Sequence, residues 1–269
     1  MTIQQIVFVI LNTMKIFEIP KADLQKIISI FNREIGRFVF FVFVLFFDGL
    51  WFAENVTNSQ LLINILMLAG FFKMYFRSTP RVKELMIYAV ILGFGGEYLF
   101  SRVLGMYTYR LENVPLYVPI GHAALYGRIF MFSKASVVRK YTKAIEQFFA
   151  ISIVIFATVY LVFFNDVFGF LMTLGVFLLL WKRPKDRLFF YSMYILVAIL
   201  EIGGPAFGAW KWPDTAFGVF DFLPSNNAPS GISLFYFLLD IGCFVMYTQR
   251  NKIAWKRVKN IRKMRNVKG

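Results

Sequence analysis

Apolar residues along this chain come in long runs, separated by short stretches rich in Lys, Arg, Pro, Gly and Asn. Runs near 36–53, 59–76, 84–104, 114–133, 146–163, 167–181, 187–208 and 230–247 approach the roughly 17–25 residues a helix needs to cross a hydrocarbon core. Inside them Phe, Leu, Ile and Val follow one another without the strict alternation of outer-membrane strands. The pattern predicts an all-α protein, a polytopic membrane helix bundle of about eight transmembrane helices.

The first 35 residues differ. Ile3, Ile6, Val7, Ile10 and Met14, then Leu24, Ile27, Ile28 and Phe31, are spaced by polar residues and interrupted by Pro20. Such a stretch is too broken to span and is expected to lie amphipathically on the membrane surface. The pattern therefore divides the chain into an amphipathic segment over 1–35, a four-helix unit over 36–133, a basic linker over 134–145, a second four-helix unit over 146–247 and a basic tail over 248–269.

Composition removes the soluble alternative. A chain that is 58% hydrophobic, 19% aromatic and 17% charged has too little polar surface to coat a globule of 269 residues. The net charge of +15 would suit a nucleic-acid partner only on a basic face of a soluble domain, whereas here Lys and Arg sit between apolar runs. No nucleic acid is expected. Of the 30 Lys and Arg, all but Arg102, Arg110 and Lys211 fall on alternate breaks, hence on one side of the bilayer. The positive-inside rule places that side, and both termini, in the cytoplasm, and a bacterial inner membrane is the expected host. The tail beyond Arg250 is expected to anchor this topology, with anionic lipid head groups as the other reading. The first fifteen residues lack the basic region and small-residue site of a cleavable signal. A single Cys243 and a single His122 leave no disulfide and no His- or Cys-based metal site, so no metal or cofactor is expected.

The two four-helix units share an ordered series of residues. Pro80 and Glu97 in the first are followed 104 residues later by Pro184 and Glu201 in the second. Tyr107-Thr108-Tyr109 after Gly105 parallels Trp210-Lys211-Trp212 after Gly208, and Pro119, Gly121, Leu125 and Tyr126 parallel Pro229, Gly231, Phe235 and Tyr236. Four spans per unit is an even number, so two tandem parallel repeats related by an axis along the membrane normal are predicted, with a binding region where they face each other.

Glu97 and Glu201 are the leading chemical candidates, because an ionisable group inside a span costs several kcal/mol and normally faces a bundle interior or wet cavity. Gly93, Gly95 and Gly96 precede the first, and Gly203, Gly204 and Pro205 follow the second, so close helix approach is expected at both. Asp48, His122 and Asp240 fall at comparable depths. Buried carboxyls near one another suit acid and base roles, with Glu97, Glu201, Asp240 and His122 as candidate catalytic residues. The competing reading is purely structural: carboxyls bonded across helices, or paired with Arg102, to hold the halves together. Tyr107, Tyr109, Trp210 and Trp212, with Tyr126 and Tyr236, are candidate substrate contacts, although aromatics at an interface also form an anchoring belt. Asn226 and Asn227 either feed amides into the same mouth or simply make a turn before Pro229. Phosphate-binding glycine loops and serine elbows are missing from the sequence.

Glu97, Gly105, Tyr107, Tyr109 and the run Val114-Pro115-Leu116-Tyr117-Val118-Pro119 resemble the carotenoid hydratase type of membrane protein and, more distantly, heterodimeric membrane lycopene cyclases. The likeness covers about 30 residues of the first unit and only faintly the second, and it extends to bacterial membrane proteins for which no activity is implied. It implies a duplicated helical fold and acid-catalysed chemistry on polyene isoprenoids. The cyclases' Pro-Glu-Glu is replaced here by Pro119-Ile120-Gly121 and Pro229-Ser230-Gly231. The expectation is thus an integral membrane enzyme working by acid–base chemistry on an isoprenoid or other apolar lipid. A carrier of a lipid or small solute using the same carboxylates, and a non-catalytic scaffold, are the alternatives.

Overall fold

The computed structural model describes residues 18–36, 38–257 and 260. The apolar positions from Ile3 to Met14 and most of the basic tail lie outside them. Among the described residues there are eleven helices and two small β-ribbons.

Helix α1 (Lys21–Glu34) starts directly after Pro20. The run expected over 36–53 is split into α2 (Phe38–Asp48) and α3 (Leu50–Asn55). The break falls at Gly49, whose backbone is pressed against Phe207 so closely that a Cβ would stand 2.6 Å from the Phe207 carbonyl oxygen. A left-handed turn at Asn58 leads into α4 (Ser59–Phe76). Helix α5 (Pro80–Glu97) opens on Pro80, where a missing N–H removes no hydrogen bond, and runs on as a π-helical turn over Tyr98–Val103. Strand β1 (Thr108–Tyr109) and α6 (Tyr117–Lys134) complete the first unit. The linker holds the short α7 (Ser136–Lys140). The second unit contains α8 (Thr142–Phe164), α9 (Val167–Trp181), α10 (Arg187–Phe207), β2 (Trp210–Lys211), β3 (Thr215–Ala216), β4 (Phe220–Pro224) and α11 (Ser233–Arg250).

The all-α expectation needs one correction. Strand β1 pairs antiparallel with β2, Thr108 opposite Lys211 and Tyr109 opposite Trp210, while β3 pairs with β4. Tyr-Thr-Tyr and Trp-Lys-Trp alternate with a period of two, so in extended backbone both rings of each triplet share one face. All four rings are buried, and Thr108 and Lys211 are exposed.

Four helical stretches are long and apolar enough to cross a membrane: Ser59–Phe76, Pro80–Val103, Thr142–Phe164 and Arg187–Phe207. Helix α9 is apolar but has 15 residues, and α2 has 11. Helices α6 and α11 carry His122, Arg128 and Asp240 within their length. At the centre α5, α6, α10 and α11 form a ring, each packed against the next and α11 closing on α5. Helix α4 lies against α6, α2 against α4 and α10, α8 against α9 and α10, and α9 against α11. The periphery and the centre differ sharply: the most apolar window of Thr142–Phe164 is 11% buried, that of Arg187–Phe207 67%.

Helix α1 does not simply float beside this bundle. Phe31 packs edge-on against Phe132 with ring centroids 5.7 Å apart, Glu34 pairs with Arg128 at 2.5 Å, and Asp23 accepts from Lys140 at 2.8 Å and Tyr141 at 2.6 Å. These contacts dock it on α6 and α7.

Candidate functional site

Glu97 is the last α-helical residue before the π-helical turn, a distortion that recurs at functional positions. The hydroxyls of Tyr107 and Tyr109 both donate to Glu97 Oε2, the latter at 2.6 Å. Glu201 is held by the loop that follows α10 and by α11. Trp210 Nε1 donates to Glu201 Oε2 at 3.1 Å, and the Tyr236 hydroxyl donates to Oε1 at 2.9 Å. Gly204 makes the first of these contacts feasible, since a Cβ there would lie 2.1 Å from the Trp210 indole. Pairing of β1 with β2 then joins the two sets of aromatics into one layer. Tyr109 meets Trp210 at 5.9 Å between centroids, and Tyr107 meets Trp212 at 4.5 Å.

His122 completes the cluster from α6. Its Nε2 lies 2.9 Å from Asp240 Oδ1, and its ring stacks on Tyr236 with centroids 5.3 Å apart. Glu97, Glu201, His122, Trp210 and Tyr236 all line one cavity, whose remaining wall is mainly apolar and is supplied by α2, α4, α6 and α10. Neither Lys nor Arg lines it, so the carboxyls are held by neutral donors. Burial, reinforced by the Glu97 charge, pushes the Tyr107 and Tyr109 phenols well above their usual range, which keeps both as proton-bearing donors. The cavity volume is about 60 Å³. That is room for a few waters, at roughly 10–15 Å³ each, and well short of the roughly 300 Å³ at the lower end of ligand pockets.

The other polar candidates go elsewhere. Asp48 forms a separate buried lock: Arg110 donates to its carboxylate and to its carbonyl, each at 2.8 Å, and the Tyr117 hydroxyl donates to Oδ2 at 2.8 Å. Arg102 donates to the Glu112 carbonyl at 2.6 Å and makes no ion pair with Glu97. Tyr126 packs against Phe189 and Phe244, at 5.0 and 6.0 Å, and does not line the cavity. Trp212 packs on Tyr107, and its backbone N–H donates to Asn227 Oδ1 at 2.8 Å, so the Asn226–Asn227 turn fixes this aromatic layer, of which Trp210 lines the cavity and Tyr107, Tyr109 and Trp212 do not. Among the described residues no three His, Cys, Asp or Glu side chains gather as a metal site would require.

Two positioning residues escaped the sequence reading. Asp166 is fully buried and accepts from three backbone N–H groups, Gly169 and Asn226 at 3.1 Å and Ser230 at 2.7 Å, which fastens the start of α11. Asn64 accepts from Tyr117 N at 2.9 Å and fastens the start of α6 in the same way. A signal existed for Asp166, which directly precedes the apolar run of α9 as an N-cap does; nothing marked Asn64. Comparison of the chain with family models, curated proteins and solved structures finds no match.

Proposed function

We propose that this chain is an integral membrane enzyme of eight spans in two tandem parallel halves, both termini cytoplasmic, that performs acid–base chemistry on an isoprenoid or other unsaturated apolar lipid. The observation that carries the reading is the convergence of Glu97, Glu201 and His122 on one cavity with largely apolar walls and neither Lys nor Arg in its lining. Both donors to Glu97 converge on Oε2, leaving Oε1 to bear a proton toward the substrate. Glu201 receives a donor on each oxygen, so neither of its oxygens is free of a protein donor. In the proposed step Glu97 transfers its proton to an alkene carbon. Glu201 then takes a proton from the water that adds to the resulting cation, or from a neighbouring carbon when none adds, so one proton enters and one leaves. The resemblance around Glu97, Tyr107 and Tyr109 supports the same class of chemistry.

The duplication is supported by repeated local arrangements. Asn58 and Asn165 both take left-handed backbone just before a second span, each Glu is bonded by an aromatic two residues past the next loop glycine, and a polar side chain fastens each fourth span. The decisive experiment is mass spectrometry of lipid bound to the purified protein, followed by its conversion in Glu97→Gln and Glu201→Gln. Bound lipid with lost conversion supports the enzyme; full conversion in both variants removes it. Sidedness is checked with single cysteines in intact cells: a cysteine at Asn58 should react with an impermeant reagent, one at Lys268 should not, and the reverse result inverts the topology.

The cavity volume favours a second reading, a carrier of a small solute or protons, because about 60 Å³ admits a lipid only after the helices separate. A carrier would show altered solute affinity or proton coupling in the same variants, with no chemical conversion.

A further inference from the structure

Two buried polar atoms lie beyond the cavity, toward the end of the bundle that carries the basic loops, and the site described above does not use them. Asp240 engages His122 through Oδ1, while its Oδ2 is buried without a partner. The Tyr126 hydroxyl is likewise buried and unpartnered, and both residues are 0% exposed. Tyr126 follows His122 by four residues on α6, so it lies on the same face about 6 Å further along the helix. Asp240, the Cys243 thiol, Arg81 and Asp186 all lie within electrostatic reach of the Tyr126 hydroxyl. Arg81 is in the first turn of α5 and Asp186 immediately precedes α10, both at the basic-loop end. Polar groups therefore continue from the cavity through His122, Asp240 and Tyr126 toward that end, through a core otherwise filled by Phe189, Phe244 and Phe130.

We propose that Tyr126, Asp240 and His122 form a proton relay between the cavity and the basic-loop end of the bundle, with one buried water joining the Tyr126 hydroxyl to Asp240 Oδ2. An acceptor and a hydroxyl orphaned in the same core are the partners such a water requires. A proton arriving at Tyr126 displaces the hydroxyl proton to the water, which protonates Asp240 Oδ2. Asp240 protonates His122, and His122, which lines the cavity, passes a proton to a cavity carboxylate. Each group gains one proton and releases one. The relay rests on the proposed function in that it supplies the proton the cavity carboxyls consume. In the topology proposed above the proton source is the cytoplasm.

The test is infrared spectroscopy of the reconstituted protein after transfer to D₂O, following exchange at the carboxylic-acid C=O band that Glu97→Gln or Glu201→Gln removes. Tyr126→Phe and Asp240→Asn should each slow that exchange about tenfold or more, with helix content and monodispersity retained. Tyr126→Phe deletes only an unpartnered hydroxyl, so it decides the matter even where Asp240→Asn fails to fold. Unchanged exchange in folded Tyr126→Phe overturns the relay and leaves the cavity reading intact. A wild-type protein with no protonated carboxyl band overturns both.

Discussion

Glu97 and Glu201 line the same cavity, yet the protein holds them differently. Glu97 is gripped on one oxygen by two tyrosines from its own loop, whereas Glu201 is gripped on both oxygens, by a tryptophan from its loop and a tyrosine from α11. The surroundings diverge in parallel. Helix α10, which carries Glu201, is flanked by both α2 and α8, while α5, which carries Glu97, packs chiefly on α6 and α11 and leaves Ile87, Ile91, Tyr98 and Leu99 exposed. A symmetric pair of carboxyls would give two equal acids. Unequal ligation leaves Glu97 one oxygen free of donors and Glu201 none.

The largest effect should come from the carboxyls themselves. Glu97→Gln and Glu201→Gln are each expected to reduce turnover of the bound lipid by roughly 10²–10⁴-fold, read by mass spectrometry of substrate and product. Equal residual activity with reversed pH dependence in the two variants would swap the acid and base roles; wild-type turnover in either would end the distinction.

Stability should respond most at the lock peculiar to the first half. Arg110→Ala leaves the buried Asp48 with Tyr117 as its side-chain donor and should cost about 3–5 kcal/mol, as loss of one member of a buried ion pair does. Thermal unfolding in detergent measures it. A change near zero would show that Asp48 is solvated and is not a structural lock.

The donors sharpen the comparison at finer scale. Tyr236→Phe keeps the ring on His122 but deprives Glu201 Oε1 of its donor, for an expected cost of about 1.5–3 kcal/mol, whereas Tyr109→Phe leaves Tyr107 on the same Glu97 oxygen and should cost about 0.5–1.5 kcal/mol. Chemical denaturation of the two variants side by side tests the order. A larger loss in Tyr109→Phe would contradict the ligation pattern.

The smallest effect concerns the α1 latch. Hydrogen bonds from Lys140 and Tyr141 hold the Asp23 carboxyl below its ordinary value of 3.8. A depressed carboxyl contributes its stability fully above 3.8 and loses it as pH falls through the lower folded value. Protection of the Lys21–Glu34 amides relative to their intrinsic exchange rates should thus be steady from about pH 7 to 5 and fall only in stronger acid. Because the pair is exposed and screened, the change should be slight. Loosening already near neutral pH would mean that another group governs the docking.

Length and apolarity of the runs sufficed to place the helices, because each backbone must satisfy its own hydrogen bonds in an apolar medium and nothing but a helix does so within one segment. The ends of α4, at Ser59 and Phe76, and of α9, at Val167 and Trp181, coincide with the ends of their apolar runs. Glu97 and Glu201 stood out for a related reason, since a carboxyl inside such a run is costly wherever it points. What the runs could not reveal depends on which helices meet. The split at Gly49 is set by Phe207 of a distant helix, the aromatic triplets became paired strands only because two loops from different halves come together, and Asp48 lost its place beside the glutamates to Arg110, 62 residues away. Periodicity reports how a segment faces its surroundings, but a hydrogen bond or ion pair between segments depends on distances of a few ångströms that only the packed bundle determines.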